Sequence, residues 1–168
     1  MNRIFITSDT HFGHSNILKY EAEKRPFSSI EEHDEELVYR WNATVKPNDT
    51  VWHLGDVLFG EKSFATVARL NGLKKLVLGN HDNQPMSKYL EYFDEVCGVA
   101  KLRGYILSHV PIHPSQFYKF KGNLHGHMHS NKLDDPRYIN VSVENTGLAP
   151  ALLDTILHNA ELLNSQGI

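Results

Sequence analysis

Cysteine is nearly absent from this chain of 168 residues, with Cys97 standing alone, so neither an internal disulfide nor a thiolate metal site can form. Positive charge is not in excess either. Seventeen Lys and Arg against twenty Asp and Glu leave a formal net charge of -3, which removes the broad basic field that duplex nucleic acid or an anionic membrane attracts. No apolar run approaches the roughly 20 residues that span a bilayer. Internal repeats, low-complexity segments and long Pro/Gly/Ser linkers are missing, and residues 1–6 enter a strand-like run with no signal-peptide layout. These absences predict one soluble cytoplasmic domain over residues 1–168, and 40% hydrophobic residues suffice for a single sizeable core.

What the chain has in excess is histidine. Eleven are scattered along it, mostly beside Gly, Asp or Asn. Imidazole is the commonest metal ligand, and without thiols the pattern points to a site built from nitrogen and oxygen.

Strand-like runs are predicted at residues 3–8, 50–54, 74–78, 96–100, 103–107, 124–130 and 138–143. Ser29 with Glu32 reads as a capping box opening a helix whose apolar face is Ile30, Leu37, Val38, Trp41 and Val45, ended by Pro47. Further helices are predicted at 61–70, 85–92 and, from Pro150, at 150–163. The expectation is a layered α/β domain, with parallel strands early and antiparallel strands late.

Chemistry collects where these strands end. Asp9 and His11 follow the first strand, Asp56 the second, Asn80 and His81 the third, and His109 a later one, with His127 and His129 in Gly126-His127-Met128-His129. In open α/β sheets functional groups gather at the carboxyl ends of strands, and an x-spaced pair places two ligands on one side of an extended backbone. Charge favours two divalent ions. Two aspartates and one hydroxide against two dications leave about +1, with carboxylates ionised and imidazoles neutral. A lone ion with seven ligands would be saturated, whereas two ions sharing Asp56 keep open positions for an anion such as a phosphate ester.

Taken together, Asp9-Thr10-His11, Gly55-Asp56, Gly79-Asn80-His81-Asp82, Ser108-His109 and Gly126-His127-Met128-His129 resemble the five ordered blocks of the calcineurin-like metallophosphoesterases, in the small single-domain form of bacteria, archaea and phages. The resemblance implies a four-layer α/β/β/α sandwich of two mixed sheets with a dinuclear metal site at the strand carboxyl ends. It implies one ion on Asp9, His11, Asp56 and His129, and another on Asp56, Asn80, His109 and His127. In this scheme a hydroxide bridging the ions attacks phosphorus in line, and His81 assists the leaving group, oriented by Asp82 or another carboxylate. Manganese, iron, zinc, cobalt and nickel all suit such ligands, manganese being taken first. The expected substrate is a small phosphate ester or nucleotide, with a diester placed ahead of a monoester or a nuclease substrate. Extensive duplex contact and a membrane partner are not expected. A non-catalytic metal-binding scaffold of the same fold is the alternative from another class. Val57-Leu58-Phe59-Gly60 replaces the Asp-Arg-Gly continuation of the protein Ser/Thr phosphatases, and Asp82 stands where those enzymes carry Glu, so protein-phosphatase activity is not expected.

Outside the blocks, His14 and Arg25 are candidate substrate contacts, Arg25 because a guanidinium grips phosphate bidentately. His53 and His125 lie within strands and read as structural, and His33, His113 and His158 read as surface or packing residues. Tyr118 to Lys121 form a small basic and aromatic cluster that suits a solvated loop or a stacked base.

Overall fold

The computed structural model describes residues 2–165. Four short strands, β1 (Ile4–Thr7), β2 (Thr50–His53), β3 (Leu73–Val77) and β4 (Glu95–Cys97), lie parallel, and β9 (Ala151–Leu152) joins β1 antiparallel to complete a sheet of order β4-β3-β2-β1-β9. Side chains alternate across this sheet as the period of two demands. Phe5, Val51 and Leu76 face one way, into a core shared with Leu37, Val38 and Trp41 of α2 (Ile30–Thr44), Phe64 and Val67 of α3 (Phe64–Val67) and Tyr89 of α4 (Met86–Tyr89). Ile6, Trp52 and Val77 face the other way. They meet Tyr105, Leu107 and Leu124 of a second sheet, together with Leu153, Ile156 and Leu157 of α5 (Leu153–Ser165).

The second sheet comprises β5 (Ala100–Leu102), β6 (Tyr105–Leu107), β7 (Gly122–His125) and β8 (Tyr138–Asn140), in chain order across the sheet. Both sheets are mixed, so two mixed sheets face each other with α2, α3 and α4 outside the first. Beyond the second sheet, a 3-10 helix at Pro114–Lys119 packs Phe117 edge-on against Tyr138.

Helix α2 begins at the predicted cap: Ser29 Oγ accepts from the Glu32 N–H at 3.1 Å. Glu32 reaches back one residue further than a capping box requires, to the Ser28 N–H at 2.8 Å. The small α1 (Ile17–Tyr20) lies in the long connection between β1 and α2.

Several sequence expectations need correction. The late strands are mainly parallel: β6 pairs β7 and β7 pairs β8 in parallel register, leaving only β5 antiparallel in that sheet. The turn at Asp134-Asp135-Pro136 belongs to a crossover that returns the chain beside the start of β7, where the Asn123 N–H bonds the Arg137 carbonyl at 2.8 Å. The run 96–100 is two strands in different sheets: the chain leaves the first sheet after Cys97 and enters the second at Ala100, both residues packing into the core between the sheets. Arg103 is a turn residue, since it and Gly104 have φ of +53° and +87°, the two positive values that suit a tight hairpin. The predicted helix from Pro150 starts late, because Ala151 and Leu152 first pair with Ile6 and Phe5. The 61–70 helix breaks into a 3-10 turn, Glu61–Ser63, followed by the one-turn α3.

Parallel register has one consequence for function. Thr7 pairs with His53 and His53 with Leu76, so the loops after β1, β2 and β3 leave the sheet side by side. At the opposite end Asp49 clamps the strand starts. Its carboxylate accepts from the Arg3 guanidinium at 2.6 Å, from the Arg3 N–H at 3.1 Å and from the Lys46 N–H at 2.9 Å. The Arg3 guanidinium accordingly holds the Asp49 carboxyl down at about 2. An acid whose pKa is lowered by folding takes up its proton more readily in the unfolded chain. Its stabilisation is therefore present above about pH 4, the ordinary carboxylate range, and is lost as pH falls toward 2. Asp49→Asn is expected to lower stability at pH 6 and to flatten the acid limb between pH 4 and 2 in urea denaturation. Parallel acid limbs for the variant and the parent would contradict this.

Candidate metal centre

The loops that leave the strands are fastened to one another by backbone. Asp9 N–H bonds the Gly55 carbonyl at 2.9 Å, His11 N–H the Asp56 carbonyl at 3.1 Å, and Phe12 N–H the Val57 carbonyl at 3.0 Å. Gly126 N–H bonds the His109 carbonyl at 3.0 Å, and His127 N–H donates to Asp9 Oδ2 at 2.9 Å. A Cβ on Gly126 would overlap Ser8 Oγ and Asp9 Oδ2, so only glycine permits that approach. Among the described non-glycine residues with positive φ are Asp9, His11, Asp56, His127 and His129, at +60°, +52°, +55°, +68° and +51°. Left-handed backbone costs a side-chain-bearing residue roughly 1–3 kcal/mol and collects at functional sites. Here it turns successive side chains into one space.

That space is lined by carboxylate oxygens and imidazole nitrogens. His11 Nε2 lies 3.7 Å from Asp9 Oδ1 and 3.6 Å from Asp56 Oδ2, and His109 Nε2 lies 3.4 Å from the same Asp56 oxygen. His129 Nε2 is 3.9 Å from Asp9 Oδ1. Asn80 joins through its carboxamide oxygen, 3.0 Å from His109 Nε2, and His127 sets its ring edge-on to that of His109. Asp9, His11 and His129 offer ligand atoms all within 4.8 Å of one another, and so do Asp9, Asp56 and His109.

The remaining nitrogens face outward to partners. His109 Nδ1 contacts the Leu54 carbonyl at 2.7 Å and His129 Nδ1 contacts Glu144 Oε1 at 3.0 Å. A proton on each Nδ1 leaves the Nε2 lone pair facing the cluster. Two atoms in the middle, Asp9 Oδ1 and His11 Nε2, are buried without a hydrogen-bond partner. Burial would raise the Asp9 carboxyl, but the surrounding histidines His11, His109 and His129 outweigh it and hold the group well below the usual carboxylate range. The pocket thus selects positive charge, and its nitrogen and oxygen donors fit divalent ions.

His81 is exposed beside this cluster, with its ring 5.1 Å from that of Phe59 and 6.0 Å from that of His11. Its backbone N–H donates to Asp56 Oδ1 at 2.9 Å. His14 stacks on Phe59 at 3.8 Å and places Nδ1 3.0 Å from His11 Nδ1. Burial, then repulsion from His11, push its imidazole down to about 4. His14 therefore backs a cluster residue through the nitrogen that faces away from Asp9.

Two expectations change. Asp82 does not orient the His81 ring. Its carboxylate accepts the N–H groups of Asp56, Val57 and Gly79 at 2.8, 2.9 and 2.8 Å, joining the second and third loops. Arg25 does not face a substrate: it is fully buried. Its guanidinium donates to Glu144 Oε1 from Nε and Nη2 at 2.8 and 2.6 Å, to the Asp9 and Thr10 carbonyls at 2.5 and 3.0 Å, and to His33 Nε2 at 2.9 Å. His33 Nδ1 then meets Asp34 Oδ1 at 2.8 Å, and Asp34 Oδ2 accepts from the Gly13 N–H at 2.9 Å. His33 is thus a buried link in this chain of contacts, the packing one of its two expected roles. His53 and His125 are structural: His53 Nε2 meets Thr10 Oγ1 at 3.0 Å, and His125 Nδ1 meets the Gly126 carbonyl at 2.8 Å.

Glu144 and Ser142 escape sequence reading. Ser142 Oγ donates to Asp9 Oδ2 at 2.9 Å, and Glu144 carries the contacts to His129 and Arg25. Both follow β8, whose continuation bridges Ser142 to Ser8, and position beyond a strand end was the signal available. Removing one member of a buried ion pair costs about 3–5 kcal/mol, because the partner charge stays buried. Arg25→Met is expected to lose about that much in urea denaturation, and a loss under about 1 kcal/mol would contradict the role given to Arg25.

Known proteins can now be set beside this geometry. The profile of the family described as calcineurin-like phosphoesterase matches residues 2–162. An uncharacterized protein of Methanocaldococcus jannaschii is 38% identical over 172 residues, covering 94% of this chain and 90% of its own. The gene 66 protein of Mycobacterium phage L5 is 30% identical over 166 residues, covering 77% of this chain and 79% of its own. A solved structure of a protein of unknown function from Aquifex aeolicus superposes with a TM-score of 0.77 at 28% identity, covering 93% of this chain and 98% of that one. With the profile spanning nearly all the described residues, the chain belongs to the calcineurin-like phosphoesterases, in the small form that archaea, bacteria and phages share, and is a metal-dependent phosphoesterase.

Proposed function

We propose that the site holds two divalent ions and hydrolyses phosphate diesters. The observation that carries this reading is the convergence of three Nε2 atoms on Asp9 Oδ1 and Asp56 Oδ2, with Asp9 Oδ1 and His11 Nε2 buried and unpartnered. Asp56 Oδ2 lies between His11 and His109, the place of a shared ligand. Asp9, His11, Asp56 and His129 would hold one ion, and Asp56, Asn80, His109 and His127 the other. The mixed nitrogen and oxygen, sulfur-free donor set suits first-row divalent ions, manganese being taken first. Divalent ions there supply charge to the phosphoryl oxygens and make water a nucleophile at neutral pH.

The protein's own groups do the rest. Glu144 and the Leu54 carbonyl fix the tautomers of His129 and His109. His81, exposed at the rim, gives its proton to the leaving oxygen as the bond from that oxygen to phosphorus breaks and a water oxygen bonds to phosphorus from the opposite side. With Arg25 committed to Glu144, its guanidinium is not available to a phosphate, which fits a singly charged diester better than a dianionic monoester.

Protein loaded with manganese is expected to hydrolyse bis(4-nitrophenyl) phosphate, and chelation to stop it. Asp56→Asn is expected to lower turnover by more than about 100-fold, beyond what loss of a supporting contact does. His81→Ala should cost roughly 10²–10⁴-fold for alkyl leaving groups, and far less for 4-nitrophenolate, which departs without a proton. An equal loss for both leaving groups would remove His81 from the acid role, and full activity in Asp56→Asn would remove the proposed site. Glu144→Gln is expected to weaken metal affinity by about 10–100-fold in calorimetry.

A further inference from the structure

Beside the metal centre, on the side of His127 and Met128, the surface opens into a depression of about 640 Å³ lined by Val110, Ile112, His127, Met128, Leu133 and Tyr138, with Pro111, His113 and Pro114 completing it. Its apolar side chains are conspicuous for a small protein: Val110 is 47% exposed and Leu133 40% exposed. No Lys, Arg, Asp or Glu lines it. The floor is firm, since the Tyr138 hydroxyl donates to the Ile112 carbonyl at 2.5 Å and the Ile112 N–H donates to Asn123 Oδ1 at 3.0 Å.

We infer that this depression receives the ester arm that stays on phosphorus, and that the substrate is a small diester whose retained arm is apolar or aromatic. The inference rests on the phosphodiesterase reading and sharpens it. During in-line displacement the leaving oxygen departs along the axis of attack, while the retained ester oxygen lies in the equatorial plane beside the two phosphoryl oxygens. His81, which serves the leaving oxygen, keeps company with Phe59 and His11, whereas His127 sits against His109 and is itself part of the depression's wall. An arm directed sideways past His127 therefore runs onto apolar side chains.

The same surface argues against a polynucleotide. The next phosphate along a strand requires a cation, and the lining supplies none. A monoester has no retained arm to place there at all. Selectivity between arms is expected to arise from area removed from water, as in other apolar pockets.

Two diesters with one leaving group isolate the effect: phenyl 4-nitrophenyl phosphate and methyl 4-nitrophenyl phosphate. With the manganese-loaded full chain, the phenyl ester is expected to show kcat/KM roughly tenfold above the methyl ester, chiefly through KM. Leu133→Asp, at an exposed position, is expected to lower kcat/KM for the phenyl ester more than for the methyl ester and so collapse the ratio. Calorimetry with phenylphosphonate and methylphosphonate reads the same preference without turnover. Equal kcat/KM for the two esters, or a phenyl preference that Leu133→Asp leaves intact, overturns the assignment of the depression. Absence of turnover with either ester, while phenylphosphonate still binds more tightly than methylphosphonate and Leu133→Asp abolishes the difference, supports the depression as a subsite and overturns the phosphodiesterase reading instead.

Discussion

Two carboxylates, Asp9 and Asp56, are buried near each other at the mouth of the first sheet, and carboxylates in that position require positive charge nearby. Three imidazoles surround them, and one of their oxygens, Asp9 Oδ1, is buried with no hydrogen bond of its own. Much of the local structure serves this arrangement. The histidines turn Nε2 toward the carboxylates and Nδ1 toward a carbonyl, a glutamate or another histidine. In the chain alone, nearby imidazoles hold Asp9 ionised, a role that metal cations would fill more strongly.

Holding these groups together demands an unusual backbone. Strand register brings the loop starts together, but regular extended chain would carry the side chains past one another. Left-handed turns at Asp9, His11, Asp56, His127 and His129 redirect them, and the cost is met by bonds between loops. Asp82 is central to that bracing because its one carboxylate holds three N–H groups from two loops. Desolvation among these groups pushes its half-buried carboxyl up from the usual range. A residue adjacent to His81 in sequence thus acts on the loop beneath it rather than on the ring.

Much of this was legible in the sequence because strand ends are marked by abrupt changes from apolar to polar residues. The five loops carrying Asp9, Asp56, Asn80, His109 and His127 follow such changes, and their residue types announce nitrogen and oxygen ligation. Direction and partnership of strands were less legible. The run at 96–100 has continuous strand character although its halves serve different sheets, and no local pattern states that β8 runs parallel to β7. Glu144 and Ser142 were hidden for a related reason. Their contacts with His129 and Asp9 depend on where the chain goes after β8, not on a motif, and the choice between surface and packing for His33 depends on its contact with Arg25.

Arg25 shows how far chemistry and position can diverge. Its guanidinium has the geometry for a phosphate, yet all its donors are directed inward, two of them to Glu144. The charge is used one layer behind the clustered carboxylates and imidazoles. Against the burial that would raise it, the His129 hydrogen bond and then the Arg25 charge hold the Glu144 carboxyl below the usual range, Glu144 holds the His129 ring, and the same guanidinium grips the carbonyls of Asp9 and Thr10 where the first loop turns. A cation so placed stabilises the anionic side of the site without competing with substrate for it. In the proposed reading, recognition of the phosphate falls to the metals and discrimination between esters to the uncharged surface beside them. That division of labour explains how a domain with a slight net negative charge can act on anionic substrates: the attraction is local to the centre and does not need a basic exterior.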